Sequence, residues 1–574
     1  MQLDKADSAS ARRAPGQRFA QVMNNLAVVL GAIVTALLTV ASLVTSYRVG
    51  NTRAELVRNF PLAALASGVC AVAVVALIAY VGRRRARAKA GSAAEPMAAH
   101  APRSERWYDG VLFLVVTALG LLWVALMYAP ARGDSGTIMG LADDMASGRA
   151  LRNLTYLQRY PHQIGYTLYA AVFYRVLGGK LAVAGIRVVN ALMCGGIAVL
   201  MRRFCSRIFA GARTSRVCAV LLAVFLPLPV YAGFAYGTVP SLFLALLGIY
   251  LLLYDAPAAG EKDAAPAAAT VTAPRIARLA LGFVAMFFSL VVKLNSLIFV
   301  LGVVAVCVVR AFAGRGARAK ALRLVPAVAC VLAYALAAKV PTAVLEAQQG
   351  VTIGEGTPKV AWIAMGMHGD SSRAPGWYDG YVRDLYLREH GSQRAMTAAA
   401  QRNARQSAHA LWSSPVRAAS FYAGKVASQW AEPTFEAFWT TLDFGAGNLG
   451  SHPGETKAQL HERALASVRE GAARHPLVAG MYHGAASDVV YFLLDVYQSV
   501  IYLAAVAGIW ALWGDGDTRK LTLLVIFLGG FLFHLVWEAK SQYTVVYFLL
   551  LLPYAARGLG VIAGVRGGSD GARR

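Results

Sequence analysis

The stretch from Arg278 to Arg310 reads Arg-Leu-Ala-Leu-Gly-Phe-Val-Ala-Met-Phe-Phe-Ser-Leu-Val-Val (278–292), Lys-Leu-Asn (293–295) and Ser-Leu-Ile-Phe-Val-Leu-Gly-Val-Val-Ala-Val-Cys-Val-Val-Arg (296–310). Two apolar runs lie back to back with one lysine between them. A membrane span needs roughly 20 apolar residues, and an ionisable side chain at a helix centre costs about 2.5–3.5 kcal/mol. The pair therefore reads as two short membrane helices joined by a polar turn at a water boundary. Lys293 is a functional candidate there, and snorkelling to the interface is the plainer alternative.

The same texture recurs along the chain. Thirteen apolar runs fall at 24–46, 60–82, 109–129, 161–178, 180–200, 216–233, 239–254, 277–292, 295–312, 324–341, 489–511, 521–537 and 543–561. Across 574 residues, 57% are hydrophobic and 15% charged, against about 25% charged in soluble domains. Soluble multidomain, disordered, collagenous and disulfide-scaffold classes are excluded. The fold expected is all-α and polytopic. The first run is too long for a signal-peptide core and no cleavage site follows it, so it is expected to stay as an anchor.

Net charge is +26. The excess sits beside the apolar runs, which points to topology and anionic headgroups rather than nucleic acid. Arg83, Arg84, Arg85, Arg87 and Lys89 mark 83–107 as cytoplasmic, and Arg310, Arg315, Arg318, Lys320 and Arg323 do so for 310–323. Segments 130–160 and 343–488, with the turns at 234–240, 293–295 and 538–542, then share the opposite side. Both termini read as cytoplasmic, so thirteen runs must make an even number of crossings. Arg202, Arg203 and Arg207 leave one net crossing between 160 and 201, and about twelve crossings are expected. The division is a basic tail (1–23), a transmembrane hairpin (24–82), a basic linker (83–107), a membrane module (108–342) with outer loop 130–160, a large, partly helical outer loop (343–488), C-terminal membrane helices (489–561) and a tail (562–574).

Soluble-enzyme motifs are absent, and the six cysteines show no metal or disulfide spacing. Asp515-Gly516-Asp517 resembles a nucleotide-sugar DxD but sits in a short cytoplasmic turn. The outer-facing segments carry more chemistry. Asp134 opens a short amphipathic helix in which Ile138, Leu141, Ala142 and Met145 keep helical spacing; helix capping is its plainer role. Asp143 and Asp144 fall on the side expected to be solvated. Arg159, His162 and Gln163 crowd a helix mouth, where anions bind well, although interfacial anchoring is equally open. Tyr236 and Gly237 interrupt a helix pair, and Glu538, Lys540, Gln542 and Tyr543 form a turn with both charge signs. Five of ten tryptophans (Trp362, Trp377, Trp412, Trp430, Trp439) lie in the large loop, as sugar platforms or headgroup anchors.

An Asp opening the first outer helix, followed by Tyr160-Pro161-His162-Gln163 and Gly165 entering an apolar run, resembles the C-type membrane glycosyltransferases (GT-C). More specifically it resembles the bacterial relatives of protein O-mannosyltransferases and of lipid A aminoarabinose transferase. Tyr236-Gly237, Lys293 with Asn295, Trp362 to Gly366 and Glu538 to Tyr543 fit the same subgroup in order and sidedness, over about 108–561. The resemblance implies transfer of a sugar from a polyprenyl-phosphate donor to a cell-envelope acceptor (polymer, glycolipid or protein) on the extracytoplasmic face of the cell membrane, with Asp134 as base. Donor phosphate and sugar would meet Arg159, His162, Gln163, Tyr236, Lys293, Asn295, Glu538, Lys540, Gln542 and Tyr543. Some relatives carry a second acidic residue where Ser135 stands. No metal ligands are therefore named, and a divalent cation is left open. One carboxylate suffices for inverting attack on a sugar phosphate, whereas glycoside hydrolysis needs two. The alternative, a transporter or flippase for a lipid-linked sugar, would place charges at mid-membrane and show repeat symmetry; neither is seen.

Overall fold

The computed structural model describes residues 15–49, 57–90, 102–127, 133–209, 211–254, 272–314, 316–369, 373–441, 476–482 and 484–564, with isolated positions at 131 and between 459 and 473. The first residues of the basic tail, the middle of the 83–107 linker (91–101), the Ala/Pro-rich segment 256–271, much of 442–475 and the end of the C-terminal tail lie outside the described residues.

All thirteen apolar runs fall on helix. Among the described residues nine helices are long and apolar enough to cross a membrane: Pro15–Val44, Pro61–Arg85, Glu105–Leu126, Gly179–Ile208, Ala273–Val292, Leu294–Phe312, Ala317–Gln349, Ala485–Trp510 and Thr518–Val536. Two further spans are bent pairs, Ala212–Val224 with Pro227–Gly233 at 50° and Ser541–Leu549 with Leu552–Ile562 at 56°. That makes eleven, and twelve requires the 16-residue Thr238–Leu253 to be counted as well. Ile164–Leu177, at 14 residues, extends about 21 Å against a hydrocarbon core of about 30 Å. It is the shorter of the two helices between 160 and 209, and it packs against Gly133–Ala146.

Local chemistry sets the helix ends. Proline occupies the first turn at Pro15, Pro61, Pro102 and Pro415, where its missing N–H is not needed. Ser414 caps Pro415–Trp430 by accepting from Arg417 N. Helices Ala485–Trp510 and Leu552–Ile562 cross closely because Gly508 faces the Tyr554 carbonyl and Gly558 the Ala504 carbonyl. A Cβ at either position would collide with backbone, the small-residue contact typical of membrane helix pairs.

The large loop begins later than expected. Helix continues to Gln349 and closes on left-handed Gly350 (φ 63°). Beyond it, Lys359–Met365, Tyr381–Arg388, Gln393–Trp412, Pro415–Trp430 and Ala437–Thr441 are helical. The N-terminal hairpin is joined to this layer. Its two helices pack on Ala485–Trp510, and the ribbon connecting them pairs Tyr47–Val49 antiparallel with Val57–Asn59. Tyr47 N donates to Ala431 O at 2.8 Å, and Val57 packs on Ala374, Trp377 and Ala539.

At the opposite end, buried Arg202 pairs with Glu105 at 2.5 Å and Asp109 at 2.6 Å. The Asp515/Asp517 turn is consumed by local bonds: Asp517 pairs with Arg519 and Asp515 with Lys520. That is the plain-turn role.

Candidate active site

The helix Gly133–Ala146 buries Ile138, Met139, Leu141, Ala142 and Met145 and presents Asp134 in its first turn. Ser135 Oγ donates to Ala235 O at 2.5 Å, tying that turn to the backbone beside Tyr236. Asp134 is thereby held among tyrosines: its charge acts on Tyr156, Tyr160, Tyr236, Tyr378 and Tyr543. Burial is the larger cause and Asp134 an added one in pushing the Tyr156 and Tyr236 hydroxyls up. Tyr160 is raised to about 12 by burial, opposed by Arg159 and reinforced by Asp134 and Glu538.

Asp144 corrects the expectation of a solvated pair. Its side chain is fully buried, with Arg152 Nε at 2.9 Å and Arg149 Nε at 3.3 Å. Burial alone would raise its carboxyl, but the two arginines outweigh it and hold it below the usual value. Asp143 is partly exposed and 2.6 Å from Arg149. These carboxylates fasten the end of the helix.

Gln163 Nε2 donates to Tyr236 Oη at 2.6 Å. Lys293 Nζ donates to Thr238 Oγ1 at 2.8 Å and lies over the Tyr236 and Tyr543 rings at 5.2 and 5.7 Å. Burial first and Lys540 second lower Lys293 to about 7. His162 is solvent-exposed; crowding by its surroundings first and the Lys293 charge second push its pKa down. Arg159 lies over Tyr160 at 5.5 Å and Tyr386 at 5.3 Å. A narrow cleft of about 30 Å³ runs between the helices, its polar wall formed by Thr238, Ser241, Lys293, Asn295, Gln542 and Tyr543 and its apolar wall by Leu242, Phe299, Val546 and Tyr547.

The 537–542 turn is framed by the large loop. Trp377 forms a parallel bridge with Ala539, and Ala539 N donates to Gly376 O at 2.7 Å. Trp362 stacks on Trp537 with centroids 6.1 Å apart at 12°, meets His162 edgewise and lies tilted against Tyr160. The five loop tryptophans do not share one role. Trp377 supports the turn, Trp430 packs on Phe527 and Phe531, and Trp412 is 63% exposed. Glu538 is buried, and its field reaches Tyr160, Tyr236, Tyr378 and Tyr543, four of the rings that Asp134 also reaches. Lys540 Nζ lies 3.8 Å from Glu436 Oε2 and over Trp439 at 5.7 Å.

Three residues here were not anticipated. Lys425 is fully buried, donates to the Gly366 and Trp537 carbonyls and lies in the field of Glu538. Glu432 and Glu436 are fully buried beside Ser541. Their trace in the sequence is two acids inside the aromatic stretch Trp430–Trp439. Among the described residues no three of His, Cys, Asp and Glu are grouped as metal ligands would be, so no step is assigned to a cation.

No family model matches this chain, and no curated protein does. Two solved structures are similar over 78% of the chain: ArnT from Cupriavidus metallidurans in the apo state (15% identity, TM-score 0.32, 78% of that chain) and the same protein bound to undecaprenyl phosphate (14% identity, TM-score 0.28, 77% of that chain). Both likenesses are distant, so function must be argued from the site's own chemistry.

Proposed function

We propose that this chain is a GT-C-type membrane glycosyltransferase. It moves a sugar from a polyprenyl-phosphate-linked donor to an extracytoplasmic envelope acceptor, with inversion and with Asp134 as the base. One observation carries the reading: Asp134 and Lys293, 159 residues apart in sequence (293 − 134), act on the same two rings, Tyr236 and Tyr543. A carboxylate suited to accept a proton and a cation suited to hold phosphate thus meet at one pair of aromatic rings beside the cleft. Its apolar side, Leu242, Phe299, Val546 and Tyr547, suits a polyprenyl tail.

In the reaction, the acceptor hydroxyl gives its proton to the Asp134 carboxylate as its oxygen attacks the anomeric carbon. The bond from that carbon to the phosphate oxygen breaks on the opposite side, and its electron pair leaves with the phosphate. Phosphate is already a good leaving group, so no acid is required. Lys293 and Lys540 stabilise the charge that develops on it. A flippase would want charges at mid-membrane, whereas Lys293, Glu538 and Lys540 lie at helix ends.

Lipid extracts from cells with and without the gene test this directly. Cells lacking it should accumulate a polyprenyl-phosphate sugar, restored to normal by the wild-type gene and not by Asp134→Asn. Indistinguishable extracts would refute the donor class.

A further inference from the structure

Two carboxylates, Glu432 and Glu436, are wholly buried where the large loop meets the 538–542 turn. Burying a carboxylate is costly unless its oxygens are matched. Glu432 is matched by Thr434 N at 3.1 Å, Thr434 Oγ1 at 2.5 Å, Glu436 N at 2.6 Å and Ser541 Oγ at 3.1 Å. Glu436 Oε1 accepts from Gln542 N at 3.2 Å and shares the single Ser541 hydroxyl proton (Oγ at 3.1 Å) with Glu432, while Oε2 faces Lys540 Nζ at 3.8 Å. That last spacing is within ion-pair range but longer than the 2.7–2.9 Å typical of a charge-assisted hydrogen bond.

The backbone is bent to achieve this. Phe435 and Glu436 both adopt left-handed conformations, with φ of 51° and 58°. Each costs on the order of 1–3 kcal/mol outside glycine and persists only where its surroundings enforce it. Lys540 keeps 16% of its side chain exposed, and its charge is felt at Lys293 on the cleft wall. It therefore stands between a buried anion and the place where a donor phosphate would sit.

We propose that Glu436 is the resident counter-anion of Lys540, exchanged for donor phosphate when the lipid binds. The inference rests on the reading of the chain as a polyprenyl-phosphate-sugar transferase. A cation closed into a pocket needs an anionic partner; Glu436 supplies it in the empty site, and the phosphate supplies it in the loaded one. Ser541 and Gln542 hold the Glu436 carboxylate through its other oxygen, so only the lysine has to move. Glu436 is a positioning residue in this scheme. It weakens phosphate binding, which helps the polyprenyl-phosphate product to leave.

The test is equilibrium binding of undecaprenyl phosphate and of neutral undecaprenol to the full chain in detergent, wild type against Glu436→Gln. Glutamine keeps the acceptor for Ser541 and Gln542 and loses only the charge. Removal of a competing charge about 4 Å away should tighten undecaprenyl phosphate on the order of fivefold or more and leave undecaprenol unchanged. A merely structural role would weaken both lipids, and any result with phosphate binding equal or weaker overturns the exchange. Wild type binding both lipids alike removes the donor-class reading and the exchange with it. A wild-type preference for phosphate, with no gain in E436Q, removes the exchange alone. Where E436Q does not fold, amine-directed labelling of wild-type Lys540 decides: undecaprenyl phosphate should protect it and undecaprenol should not, and equal labelling overturns the proposal.

Discussion

Lys293 allows a quantitative test through pH. It lies between two spans, and burial, then the nearby Lys540, lower it to about 7. Only its ammonium form can pair with phosphate, so the apparent Kd equals the intrinsic value divided by the protonated fraction. That fraction is about one half at pH 7 and about one hundredth at pH 9, so affinity for undecaprenyl phosphate should fall about fiftyfold across this interval. The phosphate, with its second pKa near 6, stays dianionic throughout. The sign is fixed: binding weakens as pH rises. Lys540→Met removes the second cause, so the fall should begin at higher pH even though affinity at pH 7 is lower. Lys425 and Glu432 also titrate at about 7, and attribution therefore rests on Lys293→Met, which should flatten the profile. Tryptophan fluorescence can follow binding, since Trp362, Trp439 and Trp537 border the site. A wild-type Kd unchanged between pH 7 and 9, or a Lys293→Met profile as steep as wild type, would refute the reasoning.

Asp134→Asn should lower turnover by the 10²–10⁴ typical of a lost general base with donor binding nearly intact; turnover within a fewfold of wild type would show that Asp134 is not the base. Ser135→Ala removes the bond to Ala235 O, worth about 1 kcal/mol, and should slow turnover by up to about tenfold without changing donor Kd, as steady-state kinetics would record. His368 holds Asp379 at 2.6 Å and Asn403 at 2.8 Å. Burial lowers its pKa, but the Asp379 bond outweighs that and raises it above the usual value. Its contribution is complete below about pH 6.5 and is lost as pH rises through the raised pKa. Amides around Tyr381, whose N–H donates to Asp379, should then exchange faster, and His368→Gln should abolish that pH dependence.

Much of the architecture is a one-dimensional property and could be read from the chain. A run such as 279–292 has no soluble alternative, because lipid leaves the backbone no partner except itself. All thirteen runs are helical for that reason. The polar turns at 293–295 and 538–542 stood out because lysine, glutamate and asparagine are costly among such neighbours, and the 234–240 turn because Tyr236-Gly237 interrupts a helix pair; Lys293, Asn295, Gln542 and Tyr543 do line one cleft. Whether 161–178 crosses could not be read locally, since it depends on where 14 helical residues end. Asp144 and Glu436 mark the limit more sharply. Helical spacing placed Asp144 toward solvent, yet Arg149 and Arg152, after the helix has ended, fold back to cover it. Nothing in the local pattern around Glu436 points to Lys540, 104 residues further on (540 − 436). Period and composition report burial of apolar side chains, which is summed residue by residue; a buried charge survives only where its partner arrives from another segment, and that meeting is decided by the tertiary fold.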